Sequence, residues 1–398
     1  MIPIFEAIEI IERETAPLPS ESVDLSGSIG RVLAENILAD TDLPPFDRSQ
    51  MDGYAVIAAD TENAPVKLKI VGESAAGKGW HHELRPGEAV RIMTGAPVPA
   101  GAGAVQKVEL TTEKDDRVDI LEPTEKGGFI ILKGAEIEKG ETVIRAGEVV
   151  TGNMIAVLAA FGYAKVEVAQ KPKVAVLSTG SEIVEIDRTP GRDQIRNSNS
   201  AMLRAFAEKC GASAAVFPIA GDDVEDLKAK IRGSLENSDM LVMTGGVSVG
   251  KYDFTKAALL ELGAEIFFEK VRLKPGKPTV FARLDGKPVF GLPGNPVSVA
   301  ATFHLFVRRA LLLMQGAAAP GLKEGSAVSS AKIKGTKERD TYLPAALRTS
   351  KKGKLLAEPL RWHGSSDFVG FARAEALVFV PAGETVAEGE VVEILFLP

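Results

Sequence analysis

The sequence predicts a multidomain protein in which a doubly wound, mostly parallel α/β domain stands beside β-rich domains. Three observations carry that prediction. From Lys173 to about Gln315, short apolar runs alternate with amphipathic helical stretches over short connections, the rhythm of a parallel sheet covered on both faces. Residues 41 to about 140, and again 322–398, show short alternating runs broken by Gly, Pro and Asp, the texture of small β domains. The chain has 398 residues, which at ~150 residues per domain is room for two to four cores.

The elements follow in order. The opening MIPIFEAIEIIERE sets either Phe5, Ile8 and Ile11 or Ile4, Ala7 and Ile11 on one helical face. Its Glu6, Glu9 and Glu12 exclude a signal peptide. Residues 21–40 mix extended and helical signals. Val66–Val71 and Ala89–Met93 read as strands, and 151–161 as a helix capped by Gly162. VAVLS at 174–178 and MLVM at 240–243 are buried strands, with ASAAVF at 212–217 between them. Helices are expected near 199–209, 222–236, 254–262 and 296–314, and two more strands at 279–283 and 288–292. GAAAPG at 316–321 reads as a linker.

Composition excludes several functions. Lys and Arg total 47 against 54 Asp and Glu, a net charge of −7, which argues against a general nucleic-acid or anionic-membrane binder. A single cysteine, Cys210, rules out an internal disulfide or a cysteine-based zinc or iron–sulfur site. His81 and His82 are adjacent, so on a strand they point to opposite faces and chelate poorly; an exposed loop suits them better. No apolar run reaches the roughly 18–20 residues of a membrane span. The expected compartment is the cytoplasm.

In an open parallel sheet, ligands bind beyond the carboxyl ends of the strands. Four loops there carry Gly, small hydroxyl residues or carboxylates: STGSE (178–182), GDD (221–223), TGGVSVGKYD (244–253) and GLPGNPVS (291–298). The last opens a helix whose free N–H groups favour an anion, and Pro293 and Pro296 fix its course. Gly180, Ser181, Gly245, Gly246 and Ser248 let backbone and small side chains approach a phosphate. Glu182, Asp223 and Asp253 share the rim, where carboxylates beside phosphates call for a hard cation such as Mg²⁺. Asp222 and Asp223 also suit an N-cap for the helix starting near Val224, the role assigned mainly to Asp222. Lys274 and Lys277, about a Pro-Gly turn, offer point cations to an oxyanion. Two more segments, PPFDRSQMDGYAV (44–56) and RIMTGAPVP (91–99), follow no strand or helix period and look shaped for a ligand.

Together with LKPGKP (273–278), these motifs, in this order, resemble the MoeA family of molybdopterin molybdenumtransferases, to which the C-terminal domain of gephyrin is also similar. The resemblance covers essentially the whole chain, including the tail from Gly364. It implies four domains: 1–20 with 171–318 as the doubly wound molybdopterin-binding domain, 21–40 with 140–170 as an extended dimerisation domain, 41–139 as a β-rich domain, and 319–398 as a β-barrel-like domain. It implies a homodimer whose cleft joins the β-rich domain of one subunit to the doubly wound and last domains of the other. The implied reaction inserts molybdenum from molybdate, or tungsten from tungstate, into adenylylated molybdopterin with Mg²⁺, releasing AMP. A separate molybdopterin adenylyltransferase is an implied partner.

By motif, the resemblance assigns Asp52, Thr94 and Glu136 to the β-domain side of the cleft. Glu182 and Asp253 hold Mg²⁺ and act catalytically. Lys274, Lys277 and Ser298 meet the molybdate or phosphate oxygens, and Pro293 and Pro296 shape their loop. The chain departs from the family pattern at Glu136, where the family has Asp, at Asn197 in NSN, at Phe254 and at Ser366. Two other readings remain: a molybdopterin adenylyltransferase or other nucleotide-acting enzyme, and a gephyrin-like scaffold without catalysis.

Overall fold

The computed structural model describes all residues except Asp222, 247–253 and 361–363. The chain forms two compact units: Met1–Glu35 with Ala146–Gly152 and Lys165–Pro398, and Asn36–Arg145 with Asn153–Ala164.

The chain begins with α1 (Ile4–Glu14), which buries Ile4, Ala7 and Ile11 and leaves Phe5 66% exposed. The second of the two faces open in the sequence is therefore the one the fold uses. The smaller unit is built on β1 (Gly53–Val56), β2 (Val66–Ser74), β3 (Glu88–Ile92), β4 (Ala104–Lys107), β5 (Thr111–Lys114) and β6 (Arg117–Ile120). They form one sheet in the order β4-β1-β3-β2-β6-β5.

The larger unit contains the expected doubly wound sheet. Its elements are β7 (Lys173–Ser178), α2 (Ser198–Lys209), β8 (Ser213–Val216), α3 (Val224–Leu235), β9 (Met240–Thr244), α4 (Phe254–Glu261), β10 (Glu265–Phe268), β11 (Val280–Leu284) and β12 (Lys287–Leu292). The strand order is β8-β7-β9-β12-β11-β10. The first four run parallel, and β11 alone runs opposite, antiparallel to β12 on one side and to β10 on the other.

Alternation along the central strands divides the core in two. Val174, Val176, Met240, Val242, Phe281 and Phe290 face α1, α2 and the helix that follows β12. Ala175, Leu177, Leu241, Met243, Ala282 and Val289 face α3 and α4. The result is three layers, as a sheet hydrophobic on both faces requires. Because β7 sends its chain to β8 on one side and β8 returns to β9 on the other, strand order reverses between β7 and β9. That is the place where such sheets hold ligands.

A helical rod runs from Pro296 to Met314 and widens into a π turn at Phe303–Val307. The sequence, interrupted by Arg308 and Arg309, shows no apolar run of spanning length. This helix nonetheless passes by length and composition, but 83% of it is buried inside the fold, so it serves as a core helix. The last strands, β13 (Glu324–Ser329), β14 (Asp340–Thr349), β15 (Leu355–Pro359), β16 (Ala376–Val380) and β17 (Val391–Phe396), pair in the order β14-β15-β13-β17-β16. A further β14–β16 pairing closes the sheet on itself, giving the barrel-like end.

His304, in the π turn, is 6% exposed and lies between the rings of Phe206 (4.6 Å) and Phe303 (5.7 Å). Its Nδ1 has no partner. Burial, with the nearby cations Arg308 and Lys209, pushes its pKa down to about 4. In the unfolded chain the ring takes up a proton near pH 6.5, so stability is full above that value and is lost as pH falls from 6.5 towards 4. Urea unfolding at a series of pH values should therefore show a shallower acid loss for His304→Leu than for the wild type.

Candidate active site

The carboxyl ends of β7, β9 and β12 meet in one cavity of about 810 Å³, walled by Thr179, Glu182, Asn199, Thr244, Gly245, Gly294, Asn295 and Pro296 among others. Three of the four expected loops contribute to it. The fourth, after β8, does not: Asp223 is the N-cap of α3, accepting from Asp226 N at 2.8 Å, while Asp222 lies outside the described residues.

Local chemistry explains how the loops converge. Thr244 Oγ1 donates to Pro293 O at 2.9 Å, and Asn199 Nδ2 donates to Gly294 O at 2.7 Å and to Thr244 Oγ1 at 3.1 Å. The Pro-Gly turn is thus tied to the end of β9 and the start of α2. A carbonyl accepts only from a donor, so the amide nitrogen of Asn199 must face Gly294. That leaves Asn199 Oδ1 buried and without a partner among the described residues, as are Thr179 Oγ1 and Thr255 Oγ1. Asn197 caps α2 by accepting from Ser200 N at 3.1 Å, and accepts from Ser178 Oγ at 2.9 Å. Both are roles that an amide oxygen fills without charge.

Gly245 and Gly246 are steric requirements. A Cβ on Gly245 would stand 2.3 Å from Thr179 O, and one on Gly246 2.7 Å from Thr255 Oγ1. On Gly180 it would meet only the movable end of the exposed Glu182 side chain, at 2.5 Å, and there the φ of +140° is what favours glycine. Glu182 is exposed, at the cavity wall, in the loop after β7. No group of three or more His, Cys, Asp or Glu gathers to hold a metal among the described residues. A lone carboxylate beside a phosphate cradle suits Mg²⁺, which keeps waters and draws other ligands from substrate phosphates, and does not suit an all-protein cage. Asp253, the second expected ligand, and Ser248 lie outside the described residues.

Of the expected ligand residues, Gly180, Ser181, Gly246, Lys274, Lys277, Pro293 and Ser298 are not in the cavity wall. The turn between the two lysines packs against the helix that Pro296 opens. Lys274 ends the short strand Leu273–Lys274, which pairs with the first residues of β14. Gly276 packs so near Thr302 that a Cβ would fall 2.5 Å from its methyl, and Thr302 Oγ1 donates to Ser298 O one turn earlier at 2.7 Å. Neither lysine forms an ion pair with a carboxylate among the described residues.

The smaller unit gathers the other expected residues. Asp52 accepts from Thr94 N at 2.7 Å and from Thr94 Oγ1 at 2.8 Å, which bridges 42 positions of sequence. Glu136 accepts from Arg48 at 2.7 Å. The two motif loops are laced by Ser49 N to Ala96 O (3.0 Å), Gly95 N to Ser49 O (2.8 Å) and Val98 N to Asp47 O (2.8 Å). Part of the motif serves the sheet instead. Gly53 is required because a Cβ would lie 1.9 Å from Gln106 O, and Tyr54 donates to Glu113, which Arg91 also binds.

Residues the sequence reading did not single out also line the cavity: Arg196, Asn199, Asn295 and Phe368. Arg196 follows Ile195 on a short strand and donates through Nε to Arg188 O at 3.0 Å. Phe368 comes from the C-terminal part of the chain. Ser365 anchors its segment by accepting from Asn295 Nδ2 at 2.7 Å and, through its carbonyl, from Val297 N at 3.1 Å.

Comparison with known proteins adds an independent line. Family models match residues 2–162 (MoeA N-terminal region, domain I and II), 175–312 (probable molybdopterin binding domain) and 326–397 (MoeA C-terminal region, domain IV). A molybdopterin molybdenumtransferase of Staphylococcus aureus is 36% identical over 393 residues, covering 96% of this chain and 92% of its own. One from Staphylococcus epidermidis is 33% identical over 408 residues, covering 99% and 95%. The crystal structure of a molybdopterin biosynthesis MoeA protein from Pyrococcus horikoshii superposes with a TM-score of 0.82 at 35% identity, covering 100% of this chain and 99% of its own.

The two donors from Thr94, the backbone N–H first and the hydroxyl second, hold the Asp52 carboxyl below the usual aspartate range. Thr94→Val removes only the second, so the Asp52 pKa should rise part of the way back, read by carboxyl carbon NMR against pH. Any stability the pair adds is present at neutral pH and lost as pH falls through the depressed folded value.

Proposed function

Because the chain belongs to the MoeA family of molybdopterin molybdenumtransferases, we propose that it carries out the Mg²⁺-dependent insertion of molybdate-derived molybdenum into adenylylated molybdopterin, with release of AMP. The observation that carries this reading is the single cavity at the strand-order reversal. There Thr179 and Glu182 after β7, Thr244 and Gly245 at the end of β9, and Gly294, Asn295 and Pro296 after β12 line one space.

Each part has a chemical task in this reading. The backbone about Gly245 and Gly294, in the cavity wall, lies against the phosphates. Glu182, with Asp253 as second ligand, holds Mg²⁺. When bound, that ion neutralises phosphate charge and polarises the phosphoanhydride. Lys274, Lys277 and Ser298 orient molybdate oxygens from the turn beside the helix start. Gly180, Ser181, Gly246 and Ser248 complete the phosphate cradle. Asp52, bound by Thr94, and Glu136, bound by Arg48, belong in this reading to the β-domain side of the cleft between subunits. Asp223 keeps its cap role and supports the rim. The chemistry calls for placed charges and donors more than for a covalent nucleophile. The four-domain division, the homodimer, a cytoplasmic setting and contact with a separate molybdopterin adenylyltransferase belong to the same reading.

The test is direct. Purified protein given Mg²⁺, molybdate and adenylylated molybdopterin should release AMP and form molybdenum cofactor. Glu182→Gln should cut kcat by about 100-fold or more, as loss of a metal-positioning carboxylate does. Lys274→Ala should raise the KM for molybdate. AMP release unchanged in Glu182→Gln would contradict the reading.

A further inference from the structure

We propose that Phe368, flanked by Ile186 and Ile195, is the platform on which the flat fused-ring heterocycle of the ligand lies. This rests on the reading of the cavity as the adenylylated-pterin site, and it assigns a specificity-determining residue to that site.

The cavity wall carries two chemically distinct sets of residues. Thr179, Asn199, Thr244, Gly245 and Gly294 are small or polar, and hydrogen bonds link Asn199 to Thr244 and Gly294, whereas Ile183, Ile186, Pro190, Ile195 and Phe368 are apolar, with Arg196 and Ser366 beside two of them in sequence. In the apolar set Phe368 is 50% exposed and Ile186 and Ile195 are each 60% exposed. Large apolar side chains gathered in the wall of one cavity mark a surface that a ligand covers. Phosphates and oxyanions gain nothing from such a surface. A flat heterocycle does, by stacking on the phenyl face. The volume, about 810 Å³, lies in the range of cofactor sites.

The platform is also built at a fixed distance from the polar set. The Asn295–Ser365 and Val297–Ser365 hydrogen bonds attach the segment carrying Phe368 to the start of the helix after Gly294. Asp367 accepts from Gly370 N at 3.1 Å and shapes the helical turn Phe368–Phe371. On the other side, Ile195 N donates to Glu182 O at 2.9 Å and Asn197 N to Val184 O at 2.9 Å. The residues bearing Ile186 and Ile195 are therefore continuous with the Glu182 loop. Ring and phosphate sites are held at one spacing, which selects a ligand of matching length.

Purine and pterin share the recognised chemistry, and calorimetry on the full chain separates them. The probes are AMP, 6-carboxypterin and, as a ringless control, ribose 5-phosphate. Phe368→Ala should weaken AMP or the pterin about ten-fold, the usual scale for one lost stack, leave ribose 5-phosphate unchanged, and be rescued by Phe368→Trp. Loss confined to AMP makes the platform the adenine's; loss confined to the pterin makes it the pterin's. Unchanged affinity for both rings, an equal loss for ribose 5-phosphate, or no ring binding by the wild type would overturn the proposal. The AMP-release assay keeps the two ideas apart. Turnover by the wild type with a neutral Phe368→Ala removes only the platform. Ring binding lost in the variant, with no turnover by the wild type, removes only the transferase reading.

Discussion

The clamp formed by Thr244 and Asn199 on the carbonyls of Pro293 and Gly294 is the interaction on which the rest of the site depends. The Pro-Gly turn has no ladder of its own, so a carbonyl buried there needs a donor from elsewhere. Thr244 is the last residue of β9 and Asn199 lies in the first turn of α2, so the turn inherits its position from the sheet. Losing the Thr244 donor would leave the buried Pro293 carbonyl unsatisfied, at about 1–3 kcal/mol, whereas Gly294 is exposed and its carbonyl can turn to water. Through Asn295, Val297 and Ser365 the same turn fixes Phe368. The cavity is therefore rigid where phosphate geometry matters.

Charge is arranged differently in the two units. At the cavity, one exposed carboxylate, Glu182, sits in the wall, and lysines stand on a turn packed against the helix that Pro296 opens. In the smaller unit the acids are already engaged, Asp52 by Thr94 and Glu136 by Arg48. Engaged carboxylates are pre-oriented at little further entropic cost. A free one is available to a cation that arrives with its ligand. In the proposed reaction part of the acidic excess holds Mg²⁺ against the anionic substrate, so a net charge of −7 does not oppose that reading.

Most of the doubly wound domain was legible because its strands are covered on both faces and read as unbroken apolar runs, as in VAVLS and MLVM. β10 escaped notice: EIFF is short, lies at the sheet edge, and its phenylalanines could equally pad a loop. The π turn was also hidden, since one extra residue in a helical turn leaves the apolar content of a buried helix unchanged. Within the site, residues inside loop motifs were readable, because Gly, Pro and acids at strand ends have local reasons to be there. Asp223 was a divided case, since the same residue suits a rim ligand and an N-cap, and the described geometry gives it the cap. Phe368 carried no signal at all. It sits in the short turn Phe368–Phe371, and only folding brings it and Ser366 to a cavity whose remaining wall residues lie some 70 positions or more before them.

The most direct measurement is a crystal structure of the full chain with AMP and Mg²⁺. The account predicts the phosphate against Gly245 and Gly294, the cation within reach of Glu182, and the cavity between β7 and β9 filled. Nucleotide bound elsewhere, or that cavity empty at saturating AMP, would contradict it.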